Sequence, residues 1–411
     1  MLQALFDYLN NSYDLPGTGL FQYLSFRAVA AFILALIILI IAGKPVINAL
    51  RRQKVGETIR NLGLEGENKK AGTPTMGGLL ILGAILIPTL LVAKLDNVYI
   101  QLLLVTTVWC GAIGFIDDYI KVFRHRKEGL NGRLKILGQI GLGIIVGSVM
   151  FFSEEVVVRS HSTITPQEQV AEGNVISSVH SVIVSKVDEK STETTIPFIK
   201  NNEFDYAWLT GGNQTAAWLV YMIIAIFIIT AVSNAANLTD GIDGLLTGVA
   251  TPIFAILAIL AYLSGNVIYS DYLNIMYIPN SGELLVYAAA VIGALLGFLW
   301  YNSQPASIFM GDTGSLAIGG IIAVFALCIR KELLLPIMCG VFVAESCSVI
   351  LQRYYFKYTK RKYGEGRRIF RMSPLHHHYQ KGGMSDPKVM VRFTIISLLL
   401  AAISLATLKI R

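Results

Sequence analysis

Residues 98–121 read Val98-Tyr-Ile-Gln-Leu-Leu-Leu-Val-Thr-Thr-Val-Trp-Cys-Gly-Ala-Ile-Gly-Phe-Ile-Asp117-Asp118-Tyr-Ile-Lys121. Nineteen residues without a charge run straight into two carboxylates and a lysine. An α-helix needs about 20 apolar residues to cross the hydrocarbon of a bilayer. In lipid, only structures that close all their own backbone hydrogen bonds are tolerated. The stretch is therefore expected to be a membrane helix that delivers acidic groups to one surface. A β-barrel would need short alternating strands, and this run is too long and too uniformly apolar for that.

Nine further runs read the same way: 21–43, 75–93, 134–152, 214–236, 243–264, 283–303, 313–330, 333–356 and 388–408. With 54% hydrophobic and 15% charged residues, the expected fold class is an all-α polytopic integral membrane protein. It is read as one transmembrane catalytic domain over 1–411 with about ten helices. The segments 44–73, 121–135 and 357–392 hold seven, six and ten Lys/Arg, whereas 94–97, 265–282 and 331–332 hold almost none. The positive-inside rule places the rich loops in the cytoplasm. Ten crossings then leave both termini outside, and helices 3, 5, 7 and 9 run inward. The net charge of +7 is explained by this topology and by anionic lipid headgroups, so no nucleic-acid partner is expected. Cys110, Cys328, Cys339 and Cys347 all fall inside predicted spans and are expected to be packing residues.

Residues 153–213 depart from the pattern, with nine acidic and four basic residues on the outer side. They are expected to form a small β-like or mobile extracytoplasmic insertion, with 175–187 alternating like a strand.

The polar motifs gather at inner helix ends. Lys69-Lys70-Ala-Gly-Thr73-Pro74-Thr75-Met-Gly77-Gly78 is expected to open helix 2, with Thr73 as N-cap and Pro74 at the first helical position. Exposed N–H groups, glycines and lysines there would suit an anion. Asp117 and Asp118 are expected at the C-terminal end of helix 3, where the macrodipole disfavours carboxylates. Asp117 and Lys121 can neutralise each other as i,i+4 neighbours. Adjacent residues point about 100° apart on a helix, so the two acids should differ in task. Asp240 and Asp243 are expected on one face at the start of helix 6, and Asp312 at the start of helix 8. Each alone reads as a cap. Together they offer hard oxygen ligands of the kind Mg²⁺ takes when phosphates and water complete its shell. Phe309 would stack on a base or seal a helix start. Glu345 would be buried in mid-helix 9, and Gln352, seven residues on, is better placed to touch substrate. The basic loop 357–387 carries His376, His377, His378 and Lys381. Three consecutive residues rarely point at one ion, so one or two of these imidazoles are expected to bind a diphosphate.

The motifs Asp117-Asp118-x-x-Lys121, Asn237-x-x-Asp240-Gly-x-Asp243-Gly and Gly311-Asp312-Thr-Gly resemble those of the polyprenyl-phosphate N-acetylhexosamine-1-phosphate transferase superfamily. Thr73-Pro74-Thr75-Met76-Gly77-Gly78 and Pro374-Leu-His-His-His-Tyr resemble its phospho-N-acetylmuramoyl-pentapeptide transferase branch. The likeness covers essentially the whole chain, apart from the 153–213 insertion. It implies transfer of phospho-N-acetylmuramoyl-pentapeptide from UDP-N-acetylmuramoyl-pentapeptide to undecaprenyl phosphate, giving lipid I and UMP. It also implies Mg²⁺, a bacterial inner (cytoplasmic) membrane with the site on its cytoplasmic face, and a homodimer. By the same resemblance, Lys70, Thr75, Lys121, Asn237, Asp240, Asp243, Asn302, Phe309, Gln352 and His377 would bind substrate. Asp312 would hold the metal, and Asp117, Asp118 and His376 would be catalytic. Competing readings are the N-acetylglucosamine-1-phosphate branch and an ion-coupled transporter. A transporter would place its carboxylates near the midplane on broken helices, whereas these lie at helix ends.

Overall fold

Each of the ten apolar runs carries a helix: α1 (Leu24–Arg52), α2 (Gly78–Val92), α3 (Val98–Phe123), α4 (Gly132–Phe152), α5 (Gln214–Thr239), α6 (Leu245–Ser264), α7 (Leu284–Asn302), α8 (Gly311–Cys328), α9 (Gly340–Tyr363) and α10 (Asp386–Ala406). This computed structural model describes residues 18–53, 72–124, 126, 128–159, 188–198 and 203–408, together with Leu2, Phe6, Tyr8 and Ser12. Among the described residues, eight of these helices are long and apolar enough to cross a membrane. The exceptions are α2, which is 15 residues long, and α9, which passes that test only with the short segment Glu332–Met338, bent from it by 76°. The break falls at Cys339-Gly340, where a Cβ on Gly340 would meet Leu400 Cδ1 at 2.8 Å. The chain is an all-α polytopic membrane protein.

Asparagine begins three of the helices. The side chains of Asn97, Asn131 and Asn213 accept backbone N–H groups in the first turns of α3, α4 and α5, which satisfies donors that have no partner inside the helix. Two expected starts move. The segment 73–77 is not helical; Pro74 O accepts from Phe309 N at 2.8 Å, and α2 begins only at Gly78. Pairing with 309–310 satisfies that backbone instead of a helical turn. Asp240 and Asp243 do not open α6 either. Asp240 ends α5, and a turn through Gly244 at φ +75° intervenes before Leu245. The basic loop also starts later than expected, because α9 continues to Tyr363 and Leu375–Gln380 forms a short helix.

Helix α8 is the centre of the bundle, buried from Thr313 through Cys328. In lipid, helices gain from close backbone approach at small residues. Gly114 of α3 lies so near α8 that a Cβ would sit 2.2 Å from Asp312 O. Gly319 of α8 approaches α5 just as closely, with Ser233 Cα 2.6 Å from where its Cβ would be. Ser233 Oγ donates to Leu316 O at 2.9 Å across the same contact.

At the far end of α8 the described part of the insertion is docked on the bundle. Strands β1 (Glu193–Thr195) and β2 (Glu203–Asp205) pair antiparallel; the expected strand at 175–187 lies outside the described residues. Buried Arg330, at φ +54°, stacks on Trp218 and Tyr221 at 5.3 and 4.7 Å. It donates to Ser191 O at 3.1 Å, and its own carbonyl accepts from Thr195 N at 3.0 Å. Lys331 Nζ donates to Thr195 Oγ1 at 2.5 Å, and Tyr206 OH to Glu332 Oε1 at 3.2 Å. On the same side, Arg27 of α1 pairs with Glu283 just before α7, and Lys94 N donates to that carboxylate. Cys110, Cys328 and Cys339 are buried among these helices and Cys347 is exposed on α9, all four as free thiols.

Burial, with Glu203, Asp205 and Glu189 close by, pushes the Glu193 carboxyl up from its ordinary 4.5 to about 7. The folded hairpin thus keeps a proton that the unfolded chain would release. That contribution is complete below about pH 4.5 and is lost as pH rises through about 7. The Thr195 amide, corrected for intrinsic exchange, should therefore be better protected from hydrogen exchange on the acid side of this window than above it. Glu193→Gln should remove the difference; persistence of the difference in the variant would assign it to another group.

Candidate active site

Asp117 and Asp118 lie inside α3, not at its last residue, and are buried at 0% and 3% exposure. A carboxylate at such a depth is costly unless partnered. Asp118 finds its partners on another helix. Its Oδ1 accepts from Asp312 N at 3.0 Å, and its Oδ2 from Thr313 N at 2.9 Å and Thr313 Oγ1 at 2.6 Å. It thereby caps the N-terminus of α8, the end where a negative charge is favoured. Asp117 points elsewhere. Lys121 Nζ lies 2.5 Å from its Oδ2, and its Oδ1 is 2.9 Å from Lys135 Nζ and accepts from Leu130 N at 2.7 Å. Asp312 Oδ2 closes the set, 2.5 Å from Lys135 Nζ and 3.1 Å from Lys121 Nζ.

Ligand atoms of Asp117, Asp118 and Asp312 all lie within 4.8 Å of one another, so these three could hold a metal ion. Three carboxylates against two ammonium groups leave an excess of one negative charge. Hard oxygens with that excess suit a small divalent cation. Lys135 is absent from the sequence-based site, where it counts only toward topology. Its signal was electrostatic: a lysine in the first turn of α4 is as badly placed for its own helix dipole as Asp117 is near the end of α3. Thr313, within the Gly311-Asp312-Thr-Gly motif, holds Asp118 through both its N–H and its hydroxyl, a pairing that no spacing in the sequence reveals.

Around this cluster the other motifs knit the loops together. Thr75 Oγ1 and Asp118 Oδ2 both face Gly311, at φ +74°, where a Cβ would lie 3.1 and 2.6 Å from them. Gly77 N donates to Phe309 O at 2.9 Å, which sets half-buried Phe309 beside the 73–77 segment. Asn237 Nδ2 donates to Ser315 Oγ at 2.9 Å, joining α5 to the second turn of α8. Asp243 Oδ2 accepts from Ala306 N, Asn302 Oδ1 accepts from Gly244 N, and Asn302 Nδ2 donates to Ile308 O, at 3.1, 2.9 and 2.9 Å. These contacts fix the 240–244 turn against the 302–309 loop. Lys70 lies outside the described residues.

The histidine run divides. His376 is buried at 1% exposure, with its Nε2 packed on Gly241, where a Cβ would sit 2.2 Å away. His377 Nδ1 pairs with Gln380 Oε1 at 2.6 Å, and His378 Nδ1 accepts from Arg371 N at 3.1 Å. Gln352 uses both ends of its amide on the basic loop, accepting from Ile369 N and Phe370 N and donating to Phe370 O. It holds that loop against α9.

Residues 100–330 match glycosyl transferase family 4, and residues 70–82 match the phospho-N-acetylmuramoyl-pentapeptide-transferase signature 1. The chain is 58% identical to the phospho-N-acetylmuramoyl-pentapeptide-transferase of Flavobacterium johnsoniae, 55% to that of Parabacteroides distasonis and 52% to that of Porphyromonas gingivalis W83. Each alignment spans 100% of both chains. The carboxylates, lysines and histidine described above thus stand on a chain that belongs to the phospho-N-acetylmuramoyl-pentapeptide-transferase family.

Proposed function

We propose that this protein transfers phospho-N-acetylmuramoyl-pentapeptide from UDP-N-acetylmuramoyl-pentapeptide to undecaprenyl phosphate, giving lipid I and UMP, at the cytoplasmic face of a bacterial inner membrane. The observation that carries the reading is the convergence of Asp117, Asp118, Asp312, Lys121 and Lys135 from α3, α4 and α8. One substrate is water-soluble and the other is embedded in lipid, so a charged cluster at membrane-helix ends is where both can arrive.

In the reaction, an oxygen of undecaprenyl phosphate attacks the phosphorus next to the sugar. The bond from that phosphorus to the bridging oxygen breaks, and UMP departs with the electron pair. Such a step leaves a protein mainly positioning and charge neutralisation to perform. Mg²⁺ bound at Asp312 would supply positive charge to the diphosphate oxygens and the departing UMP. Asp118 orders that end of α8. Lys121 and Lys135 carry the phosphate charge. Lys70, Thr75, Asn237, Asp240, Asp243, Asn302, Phe309 and Gln352 form the nucleotide-sugar side, directly or by fixing its loops. His376, with His377 beside it, hydrogen-bonds the diphosphate.

Two routes differ in the part Asp117 plays: covalent attack by its carboxylate, or direct attack by the lipid phosphate. A phosphate monoester has its second pKa near about 6, so most acceptor molecules need no base at neutral pH. Asp117 is already gripped by Lys121, Lys135 and Leu130 N, which favours a role in ordering the acceptor and in briefly taking its last proton. Labelled nucleotide sugar without lipid should therefore release no UMP and leave no phospho-sugar on Asp117; a trapped adduct there would establish the covalent route.

Asp312→Asn should lower Mg²⁺-dependent UMP release by about two to three orders of magnitude, and Lys135→Gln by about 100-fold, as expected for preorganised charges at a phosphoryl-transfer site. Release at the parent rate in either variant would remove that residue from the site. UDP-N-acetylglucosamine offered in place of the proposed donor should yield no UMP. For orientation, a cysteine placed at exposed Ser303 should resist a membrane-impermeant thiol reagent in intact cells and react in inverted vesicles. Labelling from outside would reverse the topology.

A further inference from the structure

Glu345 lies within α9 and is wholly buried. Acidic groups inside membrane helices are rare and persist where they do a job. Its Oε1 lies 3.2 Å from His376 Nδ1 and accepts from His376 backbone N at 3.2 Å. Glu345 Oε2 and both ring nitrogens of His376 have no hydrogen-bond partner. On its other side the imidazole directs Nε2 at Gly241, which leaves room for it only because it has no side chain. The His377 ring packs beside it at 4.2 Å between centroids. His376 is thus held between a carboxylate behind it and the 240–244 turn in front.

We propose that Glu345 is the positioning residue of His376. Its carboxylate, 3.2 Å from Nδ1, fixes the ring so that Nε2 faces the 240–244 turn, the side on which the proposed function puts a diphosphate. The group that faces one ring nitrogen of an imidazole sets the orientation in which the other nitrogen is presented. The charged and titratable groups on the elements around the ring are Glu345 on α9, His377 on the short helix, and Asp240 and Asp243 on the turn. Among the described residues, Glu345 Oε1 stands 3.2 Å from Nδ1. A purely structural salt link would need the backbone contact alone; the second contact, to the ring, fixes the imidazole's orientation. The inference rests on the role proposed above for His376.

The experiment uses the full chain in lipid nanodiscs with UDP-N-acetylmuramoyl-pentapeptide and undecaprenyl phosphate. Histidine ring ¹⁵N spectra are recorded in parallel and assigned with a His376→Asn control. Glu345→Gln should lower kcat by about 10- to 100-fold, while KM for the nucleotide sugar stays within about threefold. In the same variant the His376 ring nitrogen signals should shift, because the ring loses the neighbour that orients it, and Glu345→Asp should restore part of both. An unchanged His376 spectrum in Glu345→Gln, or parent kcat, would overturn the proposal. A spectral change in a protein that does not turn over this donor would leave the pairing standing and reject the assigned reaction instead.

Discussion

Asp118 capping the first turn of α8 is the contact on which the motif-bearing end of the bundle depends. On its own helix this carboxylate sits near the C-terminus, where the backbone dipole opposes it. The unfavourable placement is resolved only by bringing another helix N-terminus to it. A hydrogen bond to a charged group contributes about 1.5–3 kcal/mol, and removing one partner of a buried ion costs about 3–5 kcal/mol. The approach is close enough to demand glycine at 114. Once α8 is seated, Asp312 falls beside Asp117, and the two lysines have a common target. Lys121 and Lys135 then do for three acids what solvent would do at an open surface.

The membrane architecture was legible because its signal is crude and strong. Uninterrupted apolar runs admit one backbone solution in lipid, and all ten carry helices. Helix ends were less legible, and for an identifiable reason. Thr73-Pro74 has the chemistry of a helix start, yet its backbone pairs with Phe309 across 235 positions of chain. Asp240 and Asp243 look like an N-terminal face, but Gly244 at positive φ inserts a turn before α6. Local preference is overridden wherever a distant segment supplies the hydrogen bonds. Asp117, Lys121 and Asp312 were visible because motif and charge coincide in them. Lys135 was not, because eighteen residues and a turn separate it from Asp117, and no periodicity spans a turn. Gln352 and Asn302 are assigned to substrate by resemblance, and what no motif reveals is that their amides also hold loops together.

The two ends of α8 are secured in different chemical languages. The N-terminal end is held by a carboxylate and lysines. Two residues past the C-terminal end, Arg330 is held by two aromatic faces and by the backbone at Ser191 and Thr195. Between them run 18 residues, about 27 Å of helix, with almost no exposed surface. Such an element has little freedom to slide or turn. Asp312, in the first turn of this element, consequently has its position set when the chain folds, which keeps later reorganisation small. Adjustment at this end of the molecule is left to the loops draped over this fixed axle.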